Sequence, residues 1–284
     1  MRVSIVGLGL IGGSMALSLK ECGFASHLVG IENNLAHAQK ALALGLVDEI
    51  QPLNLAIKQS DLIIVAVPVD ATVVLLPKIL DLVDNQIVID VGGTKKPMTD
   101  AVASHPKRAN YVATHPMAGT EFSGPEAAVL HLFNDKYTVL CDVEDSNAEA
   151  LALVKTMYEA LQMKMTFMNA AAHDVHTAYI SHVSHVCSFA LAKTVLDKEK
   201  DESRIFELAS SGFASTVRLA KSNPATWIPI FKQNQDNILE VLDQYISELN
   251  KIRGFMEAGR DFPDAYEALR KHLVQANDIQ RILK

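Results

Sequence analysis

The chain has 284 residues, 49% apolar and 21% charged, which is enough for two domains of ordinary size with real cores and excludes a disordered polyelectrolyte. Its net charge is −7 and its basic residues are scattered, which excludes the cationic stripe of a nucleic-acid binder. Cys22, Cys141 and Cys187 are odd in number and lack CxxC spacing, so no disulfide framework or thiolate metal site is expected; they read as small buried hydrophobes in a reducing compartment.

The first element is a strand over Val3–Val6, preceded by no basic and apolar leader. Further β-branched runs follow at Leu28–Ile31, Leu62–Val67, Ile87–Asp90, Tyr111–Thr114, Thr138–Cys141 and Lys164–Met168, alternating with helical patterns. This alternation predicts an α/β fold, a mostly parallel sheet wrapped by helices on both faces. The longest apolar stretch, Leu62–Val69, falls far short of the roughly 20 residues that span a bilayer. A cytoplasmic protein that engages neither membrane nor nucleic acid is expected.

Beyond residue 168 glycine becomes sparse and the pattern turns helical. Asn169 is placed to cap a long helix over Ala170–Leu196, and a second helix carries Ile238, Leu239, Leu242, Tyr245, Ile246, Leu249 and Ile252 on one broad stripe. The boundary is set at 168/169, giving a Rossmann dinucleotide-binding domain over 1–168 and an all-helical substrate and dimerisation domain over 169–284. The wide apolar faces of these helices suggest a two-fold homodimer.

Between the first strand and the first helix lies Gly7-Leu8-Gly9-Leu10-Ile11-Gly12, a GxGxxG turn. Gly7 permits the tight turn, Gly9 lets backbone approach a pyrophosphate, Gly12 allows close helix–strand packing, and the helix start at Leu10 and Ile11 offers free amides to the phosphates. Glu32 follows the second strand, where a carboxylate accepts both ribose hydroxyls and repels a 2′-phosphate, so NAD is expected over NADP. Val67 and Pro68 close the strand that should end beside the nicotinamide ribose.

Two segments follow strands at the same sheet edge: Asp90-Val91-Gly92-Gly93-Thr94-Lys95 and Thr114-His115-Pro116-Met117-Ala118-Gly119-Thr120-Glu121. Oxidising an alcohol needs a group to take the hydroxyl proton as hydride leaves, and His115 is the candidate base. His173, His176, His182 and His185 cluster on the long helix without a recognisable metal-ligand set, so they read as polar groups roofing the cleft, some merely packed, and no metal is expected. Arg218 suits bidentate binding of a carboxylate and equally suits a structural salt bridge.

GLGLIGGS at the start, DVGGTK, THPMAGTE, the His173–His185 stretch HDVHTAYISHVSH and GFASTVRLAKSNPATW at Gly212–Trp227 together resemble the prephenate/arogenate dehydrogenase family of tyrosine biosynthesis, over essentially the whole chain. The resemblance implies NAD-dependent oxidative decarboxylation of prephenate to 4-hydroxyphenylpyruvate. It puts His115 on the substrate's 4-hydroxyl, Arg218 on a substrate carboxylate, and His185, His182 and Thr120 in the pocket lining, with Glu121 as an acidic gate. Gly93 stands where the family commonly has serine, which passes that hydrogen bond to Thr94 or a water, and Ser215 stands where the gate has its acidic companion. Family members often carry a chorismate mutase or a tyrosine-binding domain; ending at Lys284, this chain is expected to have neither. The alternatives are arogenate as substrate, a β-hydroxyacid dehydrogenase, whose base would be a lysine on the long helix, and a non-catalytic NAD-binding protein.

Overall fold

The computed structural model describes residues 1–200 and 207–282. They form two compact units, Met1–Gln235 and Asp236–Lys284.

The first unit is built on one eight-stranded sheet in the order β3-β2-β1-β4-β5-β6-β7-β8. The strands are β1 Arg2–Val6, β2 His27–Ile31, β3 Glu49–Ile50, β4 Leu62–Val65, β5 Ile87–Asp90, β6 Tyr111–Pro116, β7 Tyr137–Cys141 and β8 Lys164–Met168. All neighbouring pairs are parallel except β6–β7. Every strand expected from the sequence is present, and the two-residue edge strand β3 is an addition, too short to register as a β-branched run.

Side chains of one strand alternate between the two faces, and both faces are covered. Val3, Ile5, Leu62 and Ile64 pack with Met15 and Leu19 of α1 (Leu10–Glu21) and Val154, Met157 and Tyr158 of α6 (Ala148–Ala160). Val6, Ile63 and Val65 face the other way, onto α3 (Leu53–Lys58), α4 (Val69–Leu82) and α5 (Lys96–Val102) through Ile57, Leu76, Ile79, Leu80, Met98 and Val102. Two apolar layers thus clamp the strands, and the carboxyl ends of β1, β4, β5 and β6 open along one edge.

Asn169 caps α7 (Ala170–Thr177), its side chain accepting from the Ala172 amide at 2.7 Å. The expected continuous helix to Leu196 is interrupted: Ala178–His182 is π-helical before α8 (Val183–Glu199) resumes. This has a geometric consequence. In an unbroken α-helix, His185 would sit about 120° around the axis from His173; absorbing one extra residue leaves about 20° between them. The bulge therefore puts both histidines on one face. The unit is completed by α9 (Ser211–Thr216), a 3₁₀ turn over Arg218–Lys221 and α10 (Pro224–Gln233), with α2 (Leu35–Ala43) beside the glycine turn.

The second unit contains most of α11 (Gln235–Ala258), together with α12 (Asp264–Ala276). Its connection turns at Gly259, where an added Cβ would lie 2.4 Å from the Tyr266 ring, so only glycine lets that ring approach. His272 meets Glu248 at 3.0 Å across the pair. Cys22 is exposed, at odds with the burial expected of it, because it follows α1 directly at a surface turn.

Candidate active site

The glycine turn has the geometry its sequence demands. Gly7 has φ +94°, and a Cβ there would meet the Ala66 carbonyl oxygen at 2.7 Å; at Gly12 it would meet the Gly7 carbonyl oxygen at 2.0 Å. By contrast, nothing lies within 4 Å of a Cβ built on Gly9, so that position is open to an incoming group. Gly9 also caps α1 without any side-chain hydrogen bond, leaving the amides at Leu10 and Ile11 to an external acceptor. The Glu32 carboxylate accepts from the Leu8 amide at 3.1 Å and the Asn34 amide at 2.9 Å, which fixes it at the mouth of the turn. Val67 packs against Gly7, and Pro68 caps α4, β4 having already ended at Val65. A cradle with open backbone, free helix amides and a fixed carboxylate fits a dinucleotide diphosphate and its adenosine ribose.

Deeper along the same edge, β5 and β6 are joined by buried polar groups. Asp90 accepts from Lys95 Nζ, from the Gly92 amide at 2.8 Å and from Tyr111 Oη at 2.6 Å. Lys95 Nζ also donates to the Thr114 carbonyl at 2.6 Å, so this fully buried pair sets the residue immediately before His115. Burial, followed by the Asp90 charge, pushes the Tyr111 hydroxyl well above its usual range.

Two imidazole rings and a carboxylate form a hydrogen-bonded chain beside this pair. His115 Nδ1 is 2.8 Å from His173 Nε2, and His173 Nδ1 is 2.8 Å from Asp174 Oδ1. Asp174 in turn accepts the Lys95 amide at 2.7 Å and the Lys96 amide at 2.9 Å. The opposite nitrogen of His115, Nε2, points toward Gly93: a Cβ built there would be 3.9 Å from it. Burial, with the positive charge of Lys95 adding to it, holds His115 well below the usual imidazole range, which favours its neutral form at pH 7. His173 is lowered mainly by burial, against the opposing pull of Asp174.

Thr94 and His182 are both buried and hydrogen-bonded within the protein. Thr94 is wholly buried and its hydroxyl donates to Gln233 Oε1 at 2.6 Å, committing it to α10. His182 is almost wholly buried; Nδ1 accepts from Asn234 at 3.1 Å and the ring also hydrogen-bonds the Gly93 backbone. Burial lowers it to about 4. Both residues shape the Gly93 turn from behind.

His185 is buried, stacked on Trp227 with ring centroids 3.4 Å apart and Nδ1 on the Ser181 carbonyl. Burial lowers its pKa, with the Arg218 charge adding to the effect. Arg218 meets Glu121 at 3.1 Å, although Ser215 offers no second acid and instead donates to the Gly212 carbonyl. Ser188 of α8 fixes this arginine turn by bonding the Thr216 carbonyl and the Ala220 amide, each at 3.1 Å. Glu121 is held below the usual carboxylate range by its own backbone amide and by Arg218. Thr120 accepts from the Phe122 amide at 3.3 Å in the same exposed loop.

Sequence reasoning did not single out Asp174, Gln233, Asn234 or Trp227. Trp227 and Asp174 stood inside recognised segments; Gln233 and Asn234 ended a helix with no local signal. An apolar hollow of about 360 Å³ is lined by Val186, Phe189, Pro224, Trp227, Ile228 and Phe231 and has no group for acid–base chemistry. No cluster of three or more His, Cys, Asp or Glu among the described residues is placed to hold a metal ion, and none of their helices is long and apolar enough to cross a membrane.

A glycine-turn cradle and a neutral histidine at one sheet edge define a dinucleotide-dependent dehydrogenase of the Rossmann class. The family follows from comparison. Residues 15–167 match the model "Prephenate dehydrogenase, nucleotide-binding domain", and residues 169–275 match "Prephenate dehydrogenase, dimerization domain". The chain is 32% identical over 259 residues to prephenate dehydrogenase of Bacillus subtilis, covering 90% of this chain and 70% of that protein. It is 30% identical to a cyclohexadienyl dehydrogenase of Zymomonas mobilis, covering 89% and 87%. Prephenate dehydrogenase of A. aeolicus, solved with hydroxyphenyl propionate and NAD+, superimposes with a TM-score of 0.86 over 98% of both chains at 28% identity. The chain belongs to the prephenate dehydrogenase family.

Proposed function

We propose that this chain oxidatively decarboxylates prephenate to 4-hydroxyphenylpyruvate, using NAD as hydride acceptor. The observation that carries this reading is His115: an imidazole whose neutral form burial favours and whose Nε2 lies toward Gly93, on the sheet edge that also holds the glycine cradle. Bound NAD supplies the nicotinamide that receives hydride from ring C4. His115 takes the C4 hydroxyl proton at Nε2 as that bond to hydrogen breaks. The ring carboxylate leaves as carbon dioxide, its bonding pair completes the aromatic ring, and the proton returns to the phenolic oxygen. No net proton is consumed, and aromatisation drives the reaction.

The remaining residues bind and orient. Gly7, Gly9, Leu10, Ile11 and Gly12 hold the diphosphate, Glu32 the adenosine ribose, and Val67 and Pro68 border the nicotinamide ribose. Arg218 exchanges Glu121 for a substrate carboxylate, a swap that keeps the arginine paired throughout. Thr120, Glu121 and His185 line the entrance, while Thr94 and His182 support the Gly93 turn. The helical segment after residue 168 forms the substrate and dimerisation domain of a homodimer, a reading supported by the exposed Leu239, Ile246 and Leu249 of α11. A cytoplasmic location suits a chain with three cysteines in no disulfide pattern.

The test is NADH formation from purified protein with NAD and prephenate, repeated with His115→Asn. Activity on prephenate that falls by about 10²–10⁴-fold in the variant is expected. Turnover of arogenate alone would replace the substrate, and a fully active variant would remove His115 from the chemistry.

A further inference from the structure

We infer that His173 and Asp174 are positioning residues for His115, fixing its tautomer so that Nε2 presents a lone pair to the substrate hydroxyl. This deepens the reading of His115 as the base and rests on it.

The argument starts at the buried end of the chain of bonds. Asp174 accepts the Lys95 amide on Oδ1 and the Lys96 amide on Oδ2, so both oxygens already act as acceptors. The contact between Asp174 Oδ1 and His173 Nδ1 at 2.8 Å therefore needs the hydrogen on the ring nitrogen. Burial lowers the His173 pKa and so favours the neutral ring, which with hydrogen on Nδ1 has a lone pair on Nε2. That lone pair faces His115 Nδ1 at 2.8 Å, so His115 must donate there. One lone pair is then left on His115, at Nε2, the nitrogen that faces Gly93.

With His173 neutral, each step follows from donor–acceptor matching, and moving its hydrogen to Nε2 would bring two lone pairs together at Asp174. The same arrangement serves the reaction. When His115 accepts the hydroxyl proton, its developing charge is aligned through His173 with the Asp174 carboxylate. It also explains why His173 is almost wholly buried while carrying no substrate-facing nitrogen. The backbone amides of Lys95 and Lys96 lock Asp174, and so the relay is tied to the Gly93 turn it serves.

Two readouts test this. In protein labelled with ¹⁵N-histidine and free of substrate, nitrogen shifts should assign hydrogen to Nδ1 of both His115 and His173. In His173→Leu the acceptor is lost, and His115 should move its hydrogen to Nε2. The kcat should fall by about 10²-fold or more, as when a base loses its orienting partner, while KM for prephenate and the NADH dissociation constant stay within about two-fold. His173→Gln keeps an acceptor oxygen and should recover both the Nδ1–H tautomer and a good part of kcat, which also covers the case in which the leucine variant fails to fold. Hydrogen on Nε2 of His115 in the unmodified protein, or equal kcat in the two variants, overturns the inference. If His115→Asn is fully active while the tautomers are as stated, the base assignment fails instead.

Discussion

Replacing Lys95 by methionine should be among the most destabilising single changes in the first unit. Lys95 and Asp90 are both fully buried, and all three ammonium hydrogens have acceptors: Asp90, the Thr114 carbonyl and, at 3.8 Å, the Met98 sulfur. Methionine conserves length and apolar volume, so little cavity is created. The variant instead leaves the Asp90 carboxylate with only the Gly92 amide and the Tyr111 hydroxyl, and leaves the Thr114 carbonyl without that donor. Removing one partner of such a pair costs about 3–5 kcal/mol. At about 2–4 °C per kcal/mol for a unit of this size, the midpoint of thermal unfolding should drop by roughly 10 °C. Adding Asp90→Asn removes the orphaned charge, and the double variant should recover about 1–3 kcal/mol over Lys95→Met alone. Urea and thermal unfolding followed by circular dichroism measure all three proteins. A single variant within about 1 kcal/mol of the parent, or strictly additive losses, would refute the claim that the pair ties β5 to β6 beneath His115.

Glu32→Gln keeps the amide contacts from Leu8 and Asn34 on its oxygen in part but loses the charge. Since a hydrogen bond to a charged group is worth about 1.5–3 kcal/mol, NAD affinity measured by fluorescence titration should fall about 10–100-fold and the discrimination against NADP should narrow. Arg218→Ala removes a half-exposed ion pair and should change stability by less than about 1 kcal/mol, yet raise KM for prephenate by about 10²-fold in NADH-linked kinetics. His182 has a pKa of about 4 when folded and about 6.5 when unfolded, so the unfolded chain binds the extra proton between those values. Stability is therefore complete above pH 6.5 and declines as pH falls toward 4, by up to roughly 1.4 kcal/mol per pH unit from this residue; His182→Gln should flatten the decline in pH-dependent urea titrations.

The sheet was legible because its strands are short, β-branched and covered on both sides, so that Leu62–Val65 or Ile87–Asp90 can be little else. The cofactor cradle was legible because glycine is required sterically: the contacts at Gly7 and Gly12 admit no side chain, and that requirement is written in the sequence at fixed spacing. The hydrogen-bond partners of Thr94 and His182 were not legible. Whether a hydroxyl after a strand faces the cleft or a neighbouring helix depends on what that helix brings, here Gln233, which is 139 residues away in sequence. The π-helical turn at Ala178–His182 left no mark for the same reason. Its signature is a shift in which residues share a face, and that becomes visible only when the partners of His173 and His185 are known.

These two kinds of feature meet at His115. Its position at the end of β6 follows from local pattern, but its chemistry follows from groups that local pattern cannot pair. A histidine at that strand end with Nε2–H would be a hydrogen-bond donor to a substrate oxygen and could not take a proton from a hydroxyl. The difference between the two lies wholly in what faces Nδ1, and that is set by His173 in the first turn of α7. The amides of Lys95 and Lys96 then hold Asp174, so the Gly93 turn, the relay and the buried Asp90–Lys95 pair form one hydrogen-bonded body. A perturbation at any of its members should therefore be read first as a change in how His115 presents Nε2, and only then as a change in substrate contact.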